Sequence, residues 1–405
     1  MTKLTYGKGI SCELDTGRVT HLRAAPSDAL AVPEIIAELR TVLAKPLDYP
    51  PLADATVPGD HAVIALSHGV PCPLAAVEGA FLALNDAGIE SELISVLVPP
   101  GFSQEVALQD KLTILHAKGL HAKGCLLTVH DPDDEKSMAM LGVTRDGQPI
   151  RLNRQLCDAD VVLSVGASSE DNGSSFNGLF PGFSDRKTIN RLEAPLAEDD
   201  QSLREQSRNE IVESGWLLCL GMVVQVIPGP GATVARILAG EAKKVSAESE
   251  KIYRALWSCP GTDKADLVIA TLVGNASEQT WHNLGRALRS ARRLLNESGS
   301  IAICSEIDAL PGKSFRALVD NEDYDIALRE IMREKNPDSL AAWQVCRALE
   351  QGSVYLCSRL PDAFVESLGM TPIAIDQELE RLTESHDHTI LLEEAQHLLP
   401  VAADL

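Results

Sequence analysis

The stretch His61–Val98, HAVIALSHGVPCPLAAVEGAFLALNDAGIESELISVLV, decides the fold. It opens on a short apolar run, His61–Ser67. A Gly/Pro-rich loop follows, and Leu74–Ala87 then carries apolar residues at helical spacing up to Gly88. Glu92–Val98 is again strand-like. Two apolar runs of strand length joined through one amphipathic helix read as a βαβ unit, which makes the two strands parallel.

Outward from this unit the same alternation recurs. Leu126–Val129 and Asp160–Val165 read as further buried strands, and Trp216–Ile227 as a long strand or hairpin. A second block begins near Lys264. Asp266–Val273, Ser300–Cys304, Ser353–Ser358 and His388–Leu392 are strand-like. Gln279–Leu295, Tyr324–Glu334, Ser339–Glu350 and Asp376–Ser385 read as helices. The pattern predicts two α/β domains with mainly parallel sheets and a cleft between them. The expected boundaries are 1–250 and 251–392, joined within Ala242–Asp263, with 393–405 rejoining the first domain.

Composition narrows the function classes. The chain has 405 residues, is 45% hydrophobic and 23% charged, and has a net charge of −22. That charge disfavours nucleic acid and anionic membranes as partners. No apolar run approaches the roughly 20 residues of a membrane span, and MTKLTYGKGISCELD has no signal-like apolar core. Nine cysteines contain no CxxC pair, which favours buried reduced thiols in a cytoplasmic protein. A small-molecule ligand is expected, and a homo-oligomer is left open.

Ligands of open α/β sheets bind beyond the carboxyl ends of the strands. That rule nominates Ser67–Pro73, Pro99–Gln104, His130–Asp134, Ala167–Gly182 and Gly274–Glu278. Within them, His68 reads either as a turn residue or as a ligand contact. His130-Asp131 reads as a general base with its carboxylate, as a metal pair, or as an incidental histidine before an Asp-Pro turn. Ser168–Ser175 reads as an anion cradle or a surface loop. Gly229-Pro230-Gly231-Ala232-Thr233-Val234 has the outline of a dinucleotide fingerprint, but Val234 replaces the third glycine, so a plain turn into a helix is expected. Arg286–Arg293 reads as a solvated helix face. No Ser-His-Asp triad, HExxH or P-loop motif is present.

Several segments, in order, resemble the nickel-pincer lactate racemase family. They include Tyr6–Gly9, Lys45–Leu52, His130-Asp131, Leu141–Ile150, Asn153-Arg154, Ala159-Asp160, Pro181-Gly182, Thr188-Ile189, Ala265–Ile269, Gly274 and Gly299–Ile301. The resemblance implies two α/β domains with the site in the cleft. It also implies a nickel pincer nucleotide on a lysine thioamide, a nickel-bound histidine, and two histidines that move protons at a 2-hydroxy acid.

Carried over by position, the family's chemistry is replaced. The Asp-x-Thr-Arg-Pro loop is Ser67-His68-Gly69-Val70-Pro71, and Gly-Thr-His-Arg is Pro100-Gly101-Phe102-Ser103. Asn177 stands for the pincer lysine, and Ala167, with Glu170 nearby, for a catalytic histidine. Glu193 stands for the nickel histidine. Gly274–Glu278, His282-Asn283 and Arg286 take the places of the second-domain ligand residues. Each lost general acid or base costs about 10²–10⁴-fold. The expectation is a family member that binds a small polar or anionic ligand without the pincer cofactor. Its candidate acid–base residues are His68, His130, Asp131 and Glu170. Its candidate ligand contacts are Ser67, Asn177, Glu193, His282 and Arg286. No metal site is expected. The alternatives are a non-catalytic binding protein and a racemase with non-covalently held nickel cofactor.

Overall fold

The structure is a computed structural model and describes all residues except 1, 15–18, 26–27, 103, 118–126, 171–175, 177, 195–200, 322, 376 and 403–405. Two six-stranded sheets dominate it. Their strands, in chain order, are β1 (Val19–Leu22), β2 (Ala62–Leu66), β3 (Ile94–Val98), β4 (Leu127–Val129), β5 (Val161–Ala167), β6 (Val223–Gly229), β7 (Thr233–Gly240), β8 (Ala265–Thr271), β9 (Leu295–Cys304), β10 (Ser353–Cys357), β11 (Thr371–Pro372) and β12 (Thr389–Leu392). The first sheet has the order β7-β6-β5-β2-β3-β4, and the second β11-β10-β9-β8-β12-β1. Every neighbour pair is parallel except β6 with β7. The mixed α/β fold expected from sequence is therefore present.

The sequence explains these elements locally. All five residues of β2, AVIAL, are buried, because helices cover both faces of a parallel sheet. The helix after it, Pro73–Asp86, starts with proline at its first position, where no N–H is needed. It ends before Gly88, whose φ of +94° lets the chain turn left-handed.

Three expectations are corrected. The Gly229–Val234 segment makes a turn into a strand, not a helix: Gly229 pairs with Thr233 and Pro228 with Val234. Left-handed Gly231 and Ala232, at φ +73° and +58°, reverse the chain, and an alternating buried pattern carries it back as β7. Trp216 and Leu217 end the helix Gln201–Leu217, and the strand starts only at Val223. A turn at Cys219, φ +54°, and the packing of Gly221 against Tyr49 interrupt the apolar run. Finally, β1 lies in the second sheet beside β12, although residue 250 was the expected boundary. Leu4, Tyr6, Cys12 and Val19 likewise pack on Leu267, Ile269 and Leu391 of that sheet.

The loop after β5 is pinned from below. Phe176, Leu179, Phe180 and Phe183 follow a helix-like spacing and are all buried, with backbone bonds from Leu179 and Phe180 to the Phe176 carbonyl. They pack with Val63, Ala65 and Leu97 of the first sheet. Among the described residues, no helix is long and apolar enough to cross a membrane. Phe180→Ala should cost about 3–5 kcal/mol through lost transfer energy and the cavity left behind, measured as a lower denaturant midpoint. A change below about 1 kcal/mol would show that this loop is not anchored by its aromatic face.

Candidate functional site at the junction of the two sheets

Strand order locates two switch points. In the first sheet the chain leaves β2 toward β3 and β4, then returns to β5 on the opposite side. In the second it leaves β8 toward β9, β10 and β11, then returns to β12. The loops leaving the carboxyl ends of β2 and β5 therefore diverge around one crevice, and those of β8 and β12 around another.

Ser67 stands at the first switch point. Its N–H donates to the Val165 carbonyl at 2.9 Å, which fixes the end of β2 against β5. Its side chain is buried at 6% exposure, and Oγ has no hydrogen-bond partner among the described residues. Gly178 comes so close that a methyl group there would overlap this hydroxyl. Ser168 continues the layer, donating its Oγ to Gln225 Oε1 at 3.3 Å. His68 is solvent-accessible, yet desolvation lowers its pKa. The imidazole is therefore biased toward its neutral form.

The second switch point carries Glu278, Glu394, Gln396 and His397. Gln396 is 4% exposed and donates Nε2 to the Val273 carbonyl at 3.0 Å, while Oε1 has no partner among the described residues. Glu278 folds over Gly274, where a side chain would collide with it, and accepts from Asn283 Nδ2 at 3.1 Å. Burial raises its pKa, against the opposing pull of Asn283 and Arg286. Burial also pushes Glu394 up to about 7, with Glu393 and Glu278 adding to the rise. His397 is pushed down to about 3, first by burial and then by the Arg286 cation. Its ring lies 4.8 Å from that of Trp257.

Two contacts join the sheets here. Glu394, at the end of β12, accepts from the Gly231 N–H of the β6–β7 turn with both oxygens, at 2.9 and 2.8 Å. Glu170, in the loop after β5, accepts from Arg289 Nη2 at 2.7 Å and Arg293 Nη1 at 2.9 Å. His282, Arg286, Arg289 and Arg293 recur every three or four residues along the helix Trp281–Arg293, so they form one stripe. Arg289 and Arg293 bind the other half of the molecule, which corrects the reading of this run as a solvated face.

The other expected residues separate by environment. His130 is 1% exposed, and both ring nitrogens are engaged, Nε2 with the Ser184 carbonyl at 2.9 Å and Nδ1 with Asn153 Nδ2 at 3.1 Å. Those partners assign the proton to Nε2 and leave neither nitrogen for a ligand. Asp131 accepts from the Asp133 N–H at 3.0 Å, which is the Asp-Pro turn reading. Both oxygens of Glu170 are held by guanidinium groups. Glu193, past the end of the helix Arg186–Leu192, is accessible, but burial pushes its carboxyl up to about 7. His282 is exposed and Arg286 half-buried. Asn177 and residues 171–175 lie outside the described residues.

Residues 6–200 match the lactate racemase N-terminal domain. The lactate racemase of Lactiplantibacillus plantarum is 22% identical over 322 residues, which cover 75% of each chain. Over residues 6–200 the chain is thus similar to the lactate racemase family. Among solved structures, the lactate racemase apoprotein from Thermoanaerobacterium thermosaccharolyticum superposes with a TM-score of 0.77 at 16% identity, covering 98% of this chain and 99% of that one. A protein from Thermotoga maritima superposes with a TM-score of 0.65 at 10% identity, over 94% of this chain and 100% of that one. At these identities the structural likeness speaks for the lactate racemase fold.

Glu278 closes the segment carried over from the family's second-domain pattern but was not among the candidate ligand contacts. Glu394, Gln396 and His397 escaped the sequence reading entirely. The signal was available: they follow the last strand-like run, and the carboxyl-end rule was not extended to that strand.

His397 sets a pH dependence. Its folded value, about 3, lies below an unfolded value of about 6.5. The unfolded chain therefore takes the proton first as pH falls, and stability is lost from about pH 6.5 downward. Glu193 and Glu394, raised to about 7, act in the opposite sense over the same range, so the His397 contribution is read as a difference: from pH 7 to 5 the urea stability of wild type should fall relative to that of His397→Phe. Parallel curves for the two proteins would remove His397 as a source of acid lability.

Proposed function

We propose that this chain is a member of the lactate racemase family and holds a small anionic ligand, of hydroxy-acid or sugar-acid type, in a cleft between the two switch points. The observation that carries the reading is that Ser67 Oγ and Gln396 Oε1 are both buried without partners among the described residues at those points. Buried polar atoms without partners cost roughly 1–3 kcal/mol each, a cost that a hydroxylated ligand offsets. Arg286, beside Glu278 and His397 on the cationic stripe, supplies the grip for a carboxylate. His68, biased toward its neutral form, is the acid–base candidate that fits best. The names of the relatives, lactate racemases, support the hydroxy-acid class.

The residues do not fit the nickel pincer nucleotide that the family implies. By the resemblance, Asn177 replaces its lysine, and an amide side chain cannot form that thioamide. Glu193 replaces a nickel imidazole with a carboxyl. Nickel also prefers imidazole to carboxylate in such a site. His130 is committed to Ser184 and Asn153. The loss of these groups also favours the second reading, binding without turnover.

The test is a thermal-shift panel of D- and L-lactate, D-glycerate and D-gluconate, with metal analysis of the purified protein. A fitting acid at a hundredfold excess over Kd should add about 2.7 kcal/mol of stability. Arg286→Met should abolish the shift while leaving the unliganded Tm within a few degrees. Equal shifts in both proteins would overturn the assignment of Arg286. Stoichiometric nickel would overturn the cofactor reading. Turnover of a bound acid would decide for an enzyme, and its absence for a binding protein.

A further inference from the structure

The direct bond between the two sheets is made by a carboxyl group that is buried without a cation. Glu394 is 7% exposed, and both of its oxygens lie on the Gly231 N–H, at 2.9 and 2.8 Å. The Ala232 N–H adds a second backbone contact. Among the described residues, the influences on this carboxyl are burial, those two N–H groups and two acidic neighbours. The neighbours are Glu393, beside it in the chain, and Glu278, from the loop after β8. Glu393 is itself engaged by His21 of β1 at 3.1 Å. His397, three residues along and pushed down to about 3, carries no charge near neutrality. The turn on the other side, Gly229–Thr233, offers backbone donors and has no titratable side chain.

Two effects pull on Glu394 in opposite directions. The N–H donors favour its charged form, and burial among apolar and acidic groups disfavours it. Backbone donors replace only part of the hydration that a buried charge loses, and no cation supplies the rest. Burial therefore prevails and pushes the group up to about 7. With the turn released, the side chain would meet water and return to the ordinary glutamate range. The fastened state then binds the proton more tightly than the released state, so protonation fastens the contact and ionisation loosens it. The protonated group keeps a carbonyl oxygen to accept the Gly231 N–H.

We propose that the contact of Glu394 with the Gly231–Ala232 turn is a proton-operated latch between the two sheets, fastened when the carboxyl is protonated and loosened when it is ionised. The latch needs no ligand and stands apart from the anion-binding reading. Mild alkalinity, rather than acid, releases it. The second tie, from Glu170 to Arg289 and Arg293, is made by other groups, so release is local to the β6–β7 turn.

The experiment is amide hydrogen exchange of the unliganded full chain from pH 6 to 9, read at Gly231 and Ala232 and corrected for the intrinsic rise of exchange rate with pH. Wild-type protection at these amides should fall by up to about tenfold per pH unit above about 7. Protection in β8 should stay level. Glu394→Gln, whose neutral amide still presents an oxygen to Gly231, should change by less than about twofold over the whole range. Glu393→Gln removes an acidic neighbour and should keep the fall while moving its onset to lower pH. Level protection in the wild type would overturn the inference. Protection that rises with pH would overturn it too, by making the ionised carboxylate the better fastening. A fall that persists unchanged in Glu394→Gln would assign it to another group, with the same result. If Glu394→Gln fails to fold, the wild-type profile and the onset in Glu393→Gln decide: a fall whose onset does not move would sink the latch.

Discussion

The bond between the Glu394 carboxylate and the Gly231 amide is the contact on which the architecture turns. It joins the carboxyl end of β12 to the β6–β7 turn, and hence one sheet to the other. Each partner is held in a demanding conformation: Glu394 at φ +57° and Gly231 at φ +73°. A non-glycine residue in that region is uncommon and costs free energy, so the surrounding contacts must hold it there. Thr271 does part of this, with its Oγ1 accepting from the Glu394 N–H at 3.2 Å. Glu170 provides the second tie, from the loop after β5 to the helix that follows β8. Between them the ties bring two sets of carboxyl-end loops onto one junction.

This arrangement would reconcile a strongly acidic chain with the anionic ligand proposed for it. The net charge of −22 describes the whole surface. At the junction the arginines of one helix stripe set the local field, and two of them are offset by Glu170. What the proposed ligand would meet depends on the remaining groups and on their protonation. Burial, which raises the glutamates and lowers the histidines, removes charge of both signs from the same place.

Much of the fold was legible in the sequence because strands covered on both faces read as continuous apolar runs. Ala62–Leu66 and Ala265–Thr271 are of that kind. The β6–β7 hairpin was not legible, since Gly-Pro-Gly before an apolar segment serves a helix start and a tight turn equally well. Strand β1 was hidden for another reason. VTHL is half-polar and only part-buried, and its partner lies at the far end of the chain. At the candidate site, Ser67 was nominated by its loop position and Arg286 only through the resemblance, since helix spacing alone reads Arg286–Arg293 as a solvated face. His130 was misleading, because a histidine at a strand end looks alike whether its nitrogens face a ligand or a carbonyl. Only the bonds to Ser184 and Asn153 distinguish the cases.

The place of β1 has a consequence for how the molecule is assembled. Leu22 pairs with Leu392, and the whole first sheet lies in the chain between them. The first sheet is therefore an insertion into the second, and the chain passes between them twice. An insertion tethered by two crossings is more restricted in rotation than a domain hung on one linker. The pairing also closes a very long loop, at an entropic cost that grows only slowly with length once the inserted unit has folded and brought its ends together. Assembly of the inserted unit thus prepares the edge strand that completes its host.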